Sequence, residues 1–178
     1  MRSWPPAGWC RTGASSACWR ARSIDLPTTR IGLISDTHNL VRPEALDALR
    51  DCAHIIHAGD ICKHEVLDAL ASLAPLTVVR GNNDVAGSVA HLPEHARIEV
   101  AGATIHVVHD IADVPDRLDG VDVVVTGHSH KPVVARRGGV LFVNPGSAGP
   151  RRFKLPISVG LLDIGEAGIE ARIVTLIA

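Results

Sequence analysis

The sequence predicts an α/β fold in which two mixed β-sheets pack together with helices outside them. Up to about residue 79, short apolar runs alternate with segments of helical periodicity, an order typical of parallel strands joined by right-handed crossovers. From about residue 96, apolar runs are separated by short turns that contain glycine, which predicts antiparallel hairpins. One parallel half and one hairpin-rich half indicate two packed sheets.

The first half is predicted to contain three strands and two helices. The apolar runs predict strands over 30–35, 55–56 and 76–79. Pro43 begins a helix that extends to about residue 52, because proline suits the first turn of a helix. A second helical pattern, 66–73, stops before Pro75, which cannot continue a helix.

The second half is predicted to contain three hairpins and one further strand. The hairpins pair 97–100 with 104–108, 133–137 with 140–143, and 157–164 with 169–176. The β-branched run Val121–Val125 predicts a buried strand between the first two hairpins. No internal repeat of fixed period is present.

Length and composition predict one soluble domain without a nucleic-acid or membrane partner. The 178 residues suit one domain, and a net charge of -1 gives no electrostatic reason to bind an acidic polymer or surface. No apolar run approaches the roughly 20 residues that cross a bilayer. The four cysteines lack the paired spacing of a zinc site and follow no secretory leader, so we expect a reducing cytoplasm. Assembly into a homo-oligomer is left open.

Residues 1–29 differ from the rest of the chain. They contain all three tryptophans and four arginines, and they show no apolar periodicity. We expect a disordered extension or an upstream mis-assigned start in preference to a transit peptide, although the arginine-rich composition is superficially similar to one. The predicted domain is therefore 30–178.

Five predicted strands each end in a turn that carries side chains suited to binding metals. In open α/β sheets, ligands bind outside the carboxyl ends of the strands, so these turns can converge on one rim. The candidates are two carboxylates, one amide and four imidazoles: Asp36, His38, Asp60, Asn82, His109, His128 and His130.

Seven such ligands are too many for one tetrahedral zinc ion and suit two ions that share a carboxylate. Mixed nitrogen and oxygen donors without thiolate suit Mn, Fe, Co, Ni or Zn. Two ions about 3.5–4 Å apart lower the pKa of a shared water and clamp the oxygens of an in-line displacement at phosphorus. The expected reaction is phosphoester hydrolysis with a metal-bound hydroxide as nucleophile.

The ordered motifs of this chain resemble those of the calcineurin-like metallophosphoesterases, in particular the small single-domain phosphodiesterases of bacteria and archaea. The resemblance covers residues 30–178. Its motifs are Asp36-Thr37-His38, Gly59-Asp60, Gly81-Asn82-x-Asp84, His109, Gly127-His128-Ser129-His130 and Asn144-Pro145-Gly146-Ser147. The family fold, two mixed sheets flanked by helices, agrees with the two halves described above.

The resemblance also implies a role for each candidate ligand. It assigns Asp36, His38 and His130 to the first metal, assigns Asn82, His109 and His128 to the second, and makes Asp60 the bridge. It implies that Asp60, Asn82 and His109 are catalytic. The cofactors would be two divalent ions, with manganese favoured over nickel, cobalt, iron or zinc, and the substrate a small phosphodiester. The alternatives are a phosphomonoesterase and a non-catalytic scaffold of the same fold, the role of a eukaryotic relative.

Two positions depart from the family pattern. Asn83 stands where the larger family has a histidine that can protonate the leaving group, and Asp110 stands where many relatives have glycine. His57 is left open between a core histidine and one that orients Asp60. The residue that contacts the substrate phosphate is also left open, among Arg80, Arg151, Arg152 and Lys154. The remaining histidines, at 54, 64, 91, 95 and 106, are expected to be ordinary surface or core residues.

Overall fold

The computed structural model describes residues 28–177. The extension predicted over 1–29 lies outside this range except for Thr28 and Thr29, and Thr29 already belongs to the first strand. The elements are β1 (Thr29–Ile34), α1 (Pro43–Leu49), β2 (His54–His57), α2 (His64–Ala71), β3 (Leu76–Val78), β4 (His95–Val100), β5 (Ala103–Val108), β6 (Val123–Val125), β7 (Val133–Arg137), β8 (Val140–Asn144), β9 (Ile157–Gly165) and β10 (Gly168–Ile177). Two short 3₁₀ turns lie at Gly87–His91 and Ile111–Asp113.

The strands form two five-stranded mixed sheets, which confirms the predicted fold class. The first sheet has the order β10-β9-β1-β2-β3, and the second has the order β4-β5-β6-β8-β7. In the first sheet, β1, β2 and β3 are parallel, and β9 runs antiparallel to both β1 and β10. In the second sheet, β5, β6 and β8 are parallel, and each edge strand is antiparallel to its neighbour.

The division between the sheets does not follow the order of the chain. The C-terminal hairpin belongs to the first sheet, because β9 pairs with β1 from Thr29↔Ile164 to Leu33↔Gly160. Seven of the eight residues from Ile157 to Ile164 in β9 are apolar or small and buried, with Asp163 the exception, as a strand covered on both faces requires. Apolar content alone does not say which sheet such a strand joins.

The main core lies between the two sheets. Side chains alternate between the two faces of each strand, so every second residue of β1 and β5 points into this layer. Ile31 and Leu33 meet Ile105 and Val107 there, and all four are fully buried. The middle strand of the second sheet, β6, adds Val123 and Val125 to the same core.

Both α-helices of the described residues pack on the outer face of the first sheet. Leu49 of α1 and Leu70 of α2 share a second core with Ile34 and Ile55. The prediction of helices outside the sheets therefore holds on this side. On the other side, the segment 110–122 replaces a helix, and Arg97 holds its end by donating hydrogen bonds to the carbonyls of Asp119 and Gly120.

The helix α1 ends at Leu49, three residues earlier than predicted. Cys52 then donates its backbone N–H to the Leu49 carbonyl in a turn, and its side chain remains in the second core at 6% exposure. Cys52 and Cys62 are free thiols. Within residues 28–177, no helix has the length and apolarity needed to span a bilayer.

Candidate metal centre

The two sheets place their strand ends side by side, and these ends carry the candidate ligands. Asp36 and His38 follow β1, Asp60 follows β2, and Asn82 follows β3. The second sheet contributes His109, directly after β5, together with the pair His128 and His130 after β6. The predicted convergence of strand ends on one rim is therefore what the structure shows.

Asp36, His38 and His130 form one side of the cluster. The His130 Nε2 atom lies 3.3 Å from Asp36 Oδ1, and the two Nε2 atoms of His38 and His130 lie 3.5 Å apart. Their donor atoms lie close enough together to hold one ion. Asp36 is fully buried, so its charge has no access to water.

Asn82, His109 and His128 form the other side. The Asn82 Oδ1 atom lies 3.2 Å from His109 Nε2 and 3.0 Å from His128 Nδ1. One amide oxygen thus faces two ring nitrogens. His109 is buried, whereas 45% of the His128 side chain is exposed, which leaves this side open to solvent.

Asp60 stands between the two sides. Its Oδ2 atom is 3.7 Å from His38 Nε2, and its Oδ1 atom is 3.5 Å from His109 Nε2. Each carboxylate oxygen therefore faces one side of the cluster. The side chain is 2% exposed, so this arrangement is held within the protein.

The cluster meets two structural requirements of a metal site. Ligands about 2.0–2.2 Å from a shared ion stand about 3.0–3.6 Å from one another in tetrahedral or octahedral geometry. The donor-atom pairs described above lie 3.0 to 3.7 Å apart, which is close to that range. In addition, Asp36 Oδ1 is buried without a hydrogen-bond partner. An unpaired buried carboxylate oxygen is costly, and a cation satisfies it.

Polar contacts on the far side of the rings orient His109 and His128 for this role. His109 Nδ1 donates to the Ala58 carbonyl at 2.7 Å, so in the neutral ring the lone pair of Nε2 faces Asp60 and Asn82 and is free to bind a metal. His128 turns its Nε2 atom toward Asp110, with Asp110 Oδ2 3.6 Å away. Asp110 also caps the 3₁₀ turn that follows by accepting from Ala112 N–H.

Five of the candidate ligands have left-handed backbone conformations. Their φ angles are 54° for Asp36, 45° for His38, 57° for Asp60, 62° for His128 and 57° for His130. Such conformations are uncommon outside glycine and persist only where the surroundings hold them. Backbone hydrogen bonds between the turns do this, among them Asp36 N–H to Gly59 O and Gly127 N–H to His109 O.

Two glycines of the motifs are required by close approach to the carboxylates. A Cβ atom at Gly81 would lie 2.2 Å from Asp60 Oδ1, and one at Gly127 would lie 1.9 Å from Ser35 Oγ. Ser35 Oγ in turn donates to Asp36 Oδ2 at 2.6 Å. Any larger residue at either position would displace a carboxylate or its hydrogen-bond donor.

Asn83 holds the central carboxylate. Its backbone N–H donates to Asp60 Oδ1 at 2.9 Å, and its Nδ2 donates to Asp60 Oδ2 at 2.6 Å. Burial would raise the pKa of Asp60, but the nearby His109 ring and the two hydrogen bonds from Asn83 outweigh burial and hold that pKa well below its usual range. Asp60 is therefore a carboxylate anion at neutral pH.

His57 and Asp84 support the site from beneath. His57 is fully buried, which lowers its pKa to about 4. Its ring accepts from Gly59 N–H and contacts Thr37 Oγ1, so it orients the turn backbone and not the Asp60 carboxylate. Asp84 accepts three backbone N–H groups, from Ile61 and Cys62 on Oδ1 and from Gly81 on Oδ2.

Residues beyond the predicted ligands also fix the turns. Ser147 Oγ donates to the Asp36 carbonyl, and Asn144 Nδ2 donates to the Gly127 carbonyl. Both belong to the Asn144–Ser147 motif, whose presence was visible in the sequence although its contacts were not. Ser35 carried no signal of its own in the sequence.

Two clefts meet at Asn82 and His128. The larger, of about 630 Å³, extends past Arg80, His95 and His106, and the smaller, of about 370 Å³, extends past Ser129, Arg152, Phe153 and Leu155. Among the basic residues left open, Arg80 is paired with Glu94. Arg152 lines the smaller cleft together with Asp60 and His130.

Comparison with known proteins identifies the family. Residues 29–167 match the model of the calcineurin-like phosphoesterase superfamily domain. The chain is 35% identical over 164 residues to a probable metallophosphoesterase from Methanocaldococcus jannaschii, covering 84% of this chain and 82% of that one. This protein therefore belongs to the calcineurin-like phosphoesterase superfamily. Membership supports a phosphoester hydrolase activity that uses divalent metal ions.

Two further similarities bear on function. Phosphodiesterase YfcE from Escherichia coli is 28% identical over 131 residues, which are 61% of this chain and 71% of that protein. A crystal structure of Vps29 from Entamoeba histolytica in complex with zinc superposes with a TM-score of 0.62 and 25% identity, covering 83% of this chain and 99% of that one.

Asp84→Asn tests the support beneath the site. The amide has one oxygen in place of two, so at least one backbone N–H would face an N–H group. Leaving buried donors unpaired costs about 1–3 kcal/mol. We expect the free energy of unfolding to fall by that amount, which is measured as a lower urea midpoint. Asp116→Asn, at an exposed position, is the matched control. Equal midpoints for the two variants would show that the Asp84 contacts do not stabilise the fold.

Proposed function

We propose that this protein is a dinuclear metal-dependent phosphodiesterase. The observation that carries the proposal is the position of Asp60, whose two oxygens each face one half of a ligand cluster. Asp36, His38 and His130 would hold one ion, and Asn82, His109 and His128 would hold the other. Manganese is the metal that we expect, and nickel, cobalt, iron and zinc suit the same donors.

When bound, two such ions supply a water of lowered pKa and neutralise charge on the phosphoryl oxygens. The chain's own residues fix the geometry of this step. Asn83 holds the Asp60 carboxylate in one orientation, and the Ala58 carbonyl fixes the proton of His109 on Nδ1. These contacts make Asp60, Asn82 and His109 the residues on which catalysis would depend.

Arg152 is the basic residue that we propose for the substrate phosphate. It lines the smaller cleft together with Asp60, Asn83 and His130. Arg80 is held by Glu94 on the wall of the larger cleft. A guanidinium presents paired donors to phosphate oxygens, so Arg152 can orient a substrate without binding a metal.

Three side chains beside or beneath Asp60, namely Asn83, His57 and Asp84, are not placed to protonate the leaving group. Asn83 is bound to Asp60 and is uncharged. His57 and Asp84 are both fully buried beneath the site. The rate should therefore depend on the quality of the leaving group, because general-acid catalysis is typically worth about 10²–10⁴ in rate.

Diesters fit this site better than monoesters for two reasons. A diester carries one less negative charge, and the two clefts that meet at the cluster offer room for two ester groups. The similarity to a phosphodiesterase of Escherichia coli supports the same choice. A phosphomonoesterase is the alternative within the hydrolase class.

A non-catalytic scaffold is the alternative outside that class, and the structural similarity to Vps29 motivates it. All seven predicted ligand positions are filled here, and Asn83, Ser35 and the motif glycines are arranged around them. A binding module has no use for this arrangement, so we favour the enzyme. The cytoplasmic location and the oligomeric state stay predictions.

Asp60→Asn tests the shared carboxylate. Wild-type protein stripped of metal should be inactive toward bis(4-nitrophenyl) phosphate and should recover with Mn²⁺, with close to two ions bound per chain. Mutating a group that merely orients a ligand costs about 10–100-fold, so losing the bridge should lower kcat/KM by about 100-fold or more.

Asp47→Asn on the exposed face of α1 is the matched control and should keep wild-type activity. Elemental analysis and circular dichroism of all three proteins complete the comparison. Near-normal turnover of Asp60→Asn, or full activity of the chelated wild type, would contradict the proposal.

A series of substrates tests whether a side chain protonates the leaving group. With aryl methyl phosphodiesters of increasing phenol pKa, we expect log kcat/KM to fall steeply, since none of Asn83, His57 and Asp84 protonates the departing oxygen. Diesters should also exceed the corresponding monoesters in kcat/KM. A rate that is independent of phenol pKa, with chemistry shown to limit turnover, would mean that another group supplies the proton.

A further inference from the structure

One aromatic side chain stands in solvent beside the candidate metal centre. Phe153 is 92% exposed, and it occupies the second position of a turn closed by a 3.1 Å hydrogen bond from Leu155 N–H to the Arg152 carbonyl. Its φ angle is 54°, a left-handed conformation that bulky residues rarely adopt. The chain contains two phenylalanines, and the other, Phe142, lies half-buried beneath the Arg137 guanidinium.

The folded state gains little from this ring. A side chain this exposed contributes almost no apolar burial, and a left-handed backbone favours glycine at the same position. Strained backbone conformations that no packing interaction compensates cluster at functional sites. We therefore expect Phe153 to contact a molecule other than the chain itself.

The turn is held in a fixed place relative to the cluster. Ala148 donates its N–H to the Ser35 carbonyl, and Arg42 donates its guanidinium hydrogens to the Gly149 carbonyl. A Cβ atom at Gly149 would lie 2.3 Å from the Thr37 carbonyl oxygen, so the chain approaches the first ligand turn closely there. Phe153 follows this anchored stretch after only three residues.

Phe153 and the candidate ligands line the same cleft. The cleft of about 370 Å³ is lined by Asp60, Asn83 and His130 and also by Arg152 and Phe153. A phosphate at the cluster that also contacts Arg152 would bring an ester group toward the neighbouring Phe153 ring. The larger cleft beyond Asn82 is then left for the departing group.

We propose that Phe153 is a stacking platform for a planar ring on the ester group that stays on the phosphate after hydrolysis. This inference rests on the proposed phosphodiesterase function and narrows its substrates to diesters whose retained group carries an aromatic ring. The ring is an aryl group or a nucleobase, since both present a flat π-face to an aromatic side chain. Phe153 thus selects substrates and takes no part in the chemical step.

Three diesters that share 4-nitrophenolate as leaving group test this role. Their retained groups are methyl, phenyl and thymidine 5′-yl, so only the ring differs while the departing group is constant. Phe153→Ala should lower kcat/KM by about 5- to 100-fold for the two ring-bearing substrates, and by less than about 2-fold for the methyl one. A loss of kcat/KM for the thymidine substrate alone would show that the ring bound is a nucleobase. An equal loss for the phenyl substrate would show that Phe153 accepts any aryl group.

Two further variants separate stacking from structure. Phe153→Trp should keep or increase the preference for ring-bearing substrates. Phe153→Gly should abolish the preference with no loss of melting temperature, because it removes strain together with the ring. Val134→Ala, which shortens an exposed apolar side chain on β7 away from the clefts, is the matched control and should leave all three rates unchanged.

The failures of the two proposals differ. If the metal-loaded wild type hydrolyses all three diesters and Phe153→Ala leaves their rate ratios unchanged, the stacking role is wrong and the phosphodiesterase stands. An equal loss of kcat/KM for all three diesters would mean that Phe153 acts on the phosphate or the leaving group. That result would also overturn the stacking role. Absence of hydrolysis of every diester by the metal-loaded wild type overturns both.

Discussion

The burial of two carboxylates at the junction of two sheets is the constraint on which the rest of this structure depends. Asp36 and Asp60 are 0% and 2% exposed, and one oxygen of Asp36 has no hydrogen-bond partner. A buried carboxylate oxygen without a partner is costly, so the Asp36 Oδ1 atom favours a bound cation at this point. A bound cation removes that cost, and metal binding should therefore stabilise the fold as well as create the site.

Much of the local structure can be understood as the means of holding these carboxylates. The ligand turns adopt left-handed backbone, the motif glycines make room for the carboxylate oxygens, and Asn83 and Ser35 donate to them. Asp84 joins the turns after β2 and β3 through three backbone N–H groups. The sandwich core supplies the rigidity, because strands packed on both sides cannot shift to relieve the strain.

The sequence predicted the strands, and it predicted that the candidate side chains lie together, because both depend on local patterns. Each strand is an apolar run, and each ligand follows such a run, so convergence follows from the rule for strand ends. It did not predict that β9 joins β1, since pairing partners distant in the chain are not encoded in local periodicity. It also treated Asn83 only as a missing histidine, whereas the side-chain geometry shows a donor to Asp60. The exposure of Phe153 depends on a turn conformation that no residue pattern indicates.

The central claim is that two metal ions share the Asp60 carboxylate. Anomalous X-ray diffraction from crystals grown with Mn²⁺ measures this most directly, because it locates manganese independently of the protein atoms. The account predicts two anomalous peaks about 3.5–4 Å apart, with Asp60 between them, one beside Asp36 and His130 and the other beside Asn82 and His109. A single peak at saturating Mn²⁺, or two peaks that Asp60 does not join, would contradict it.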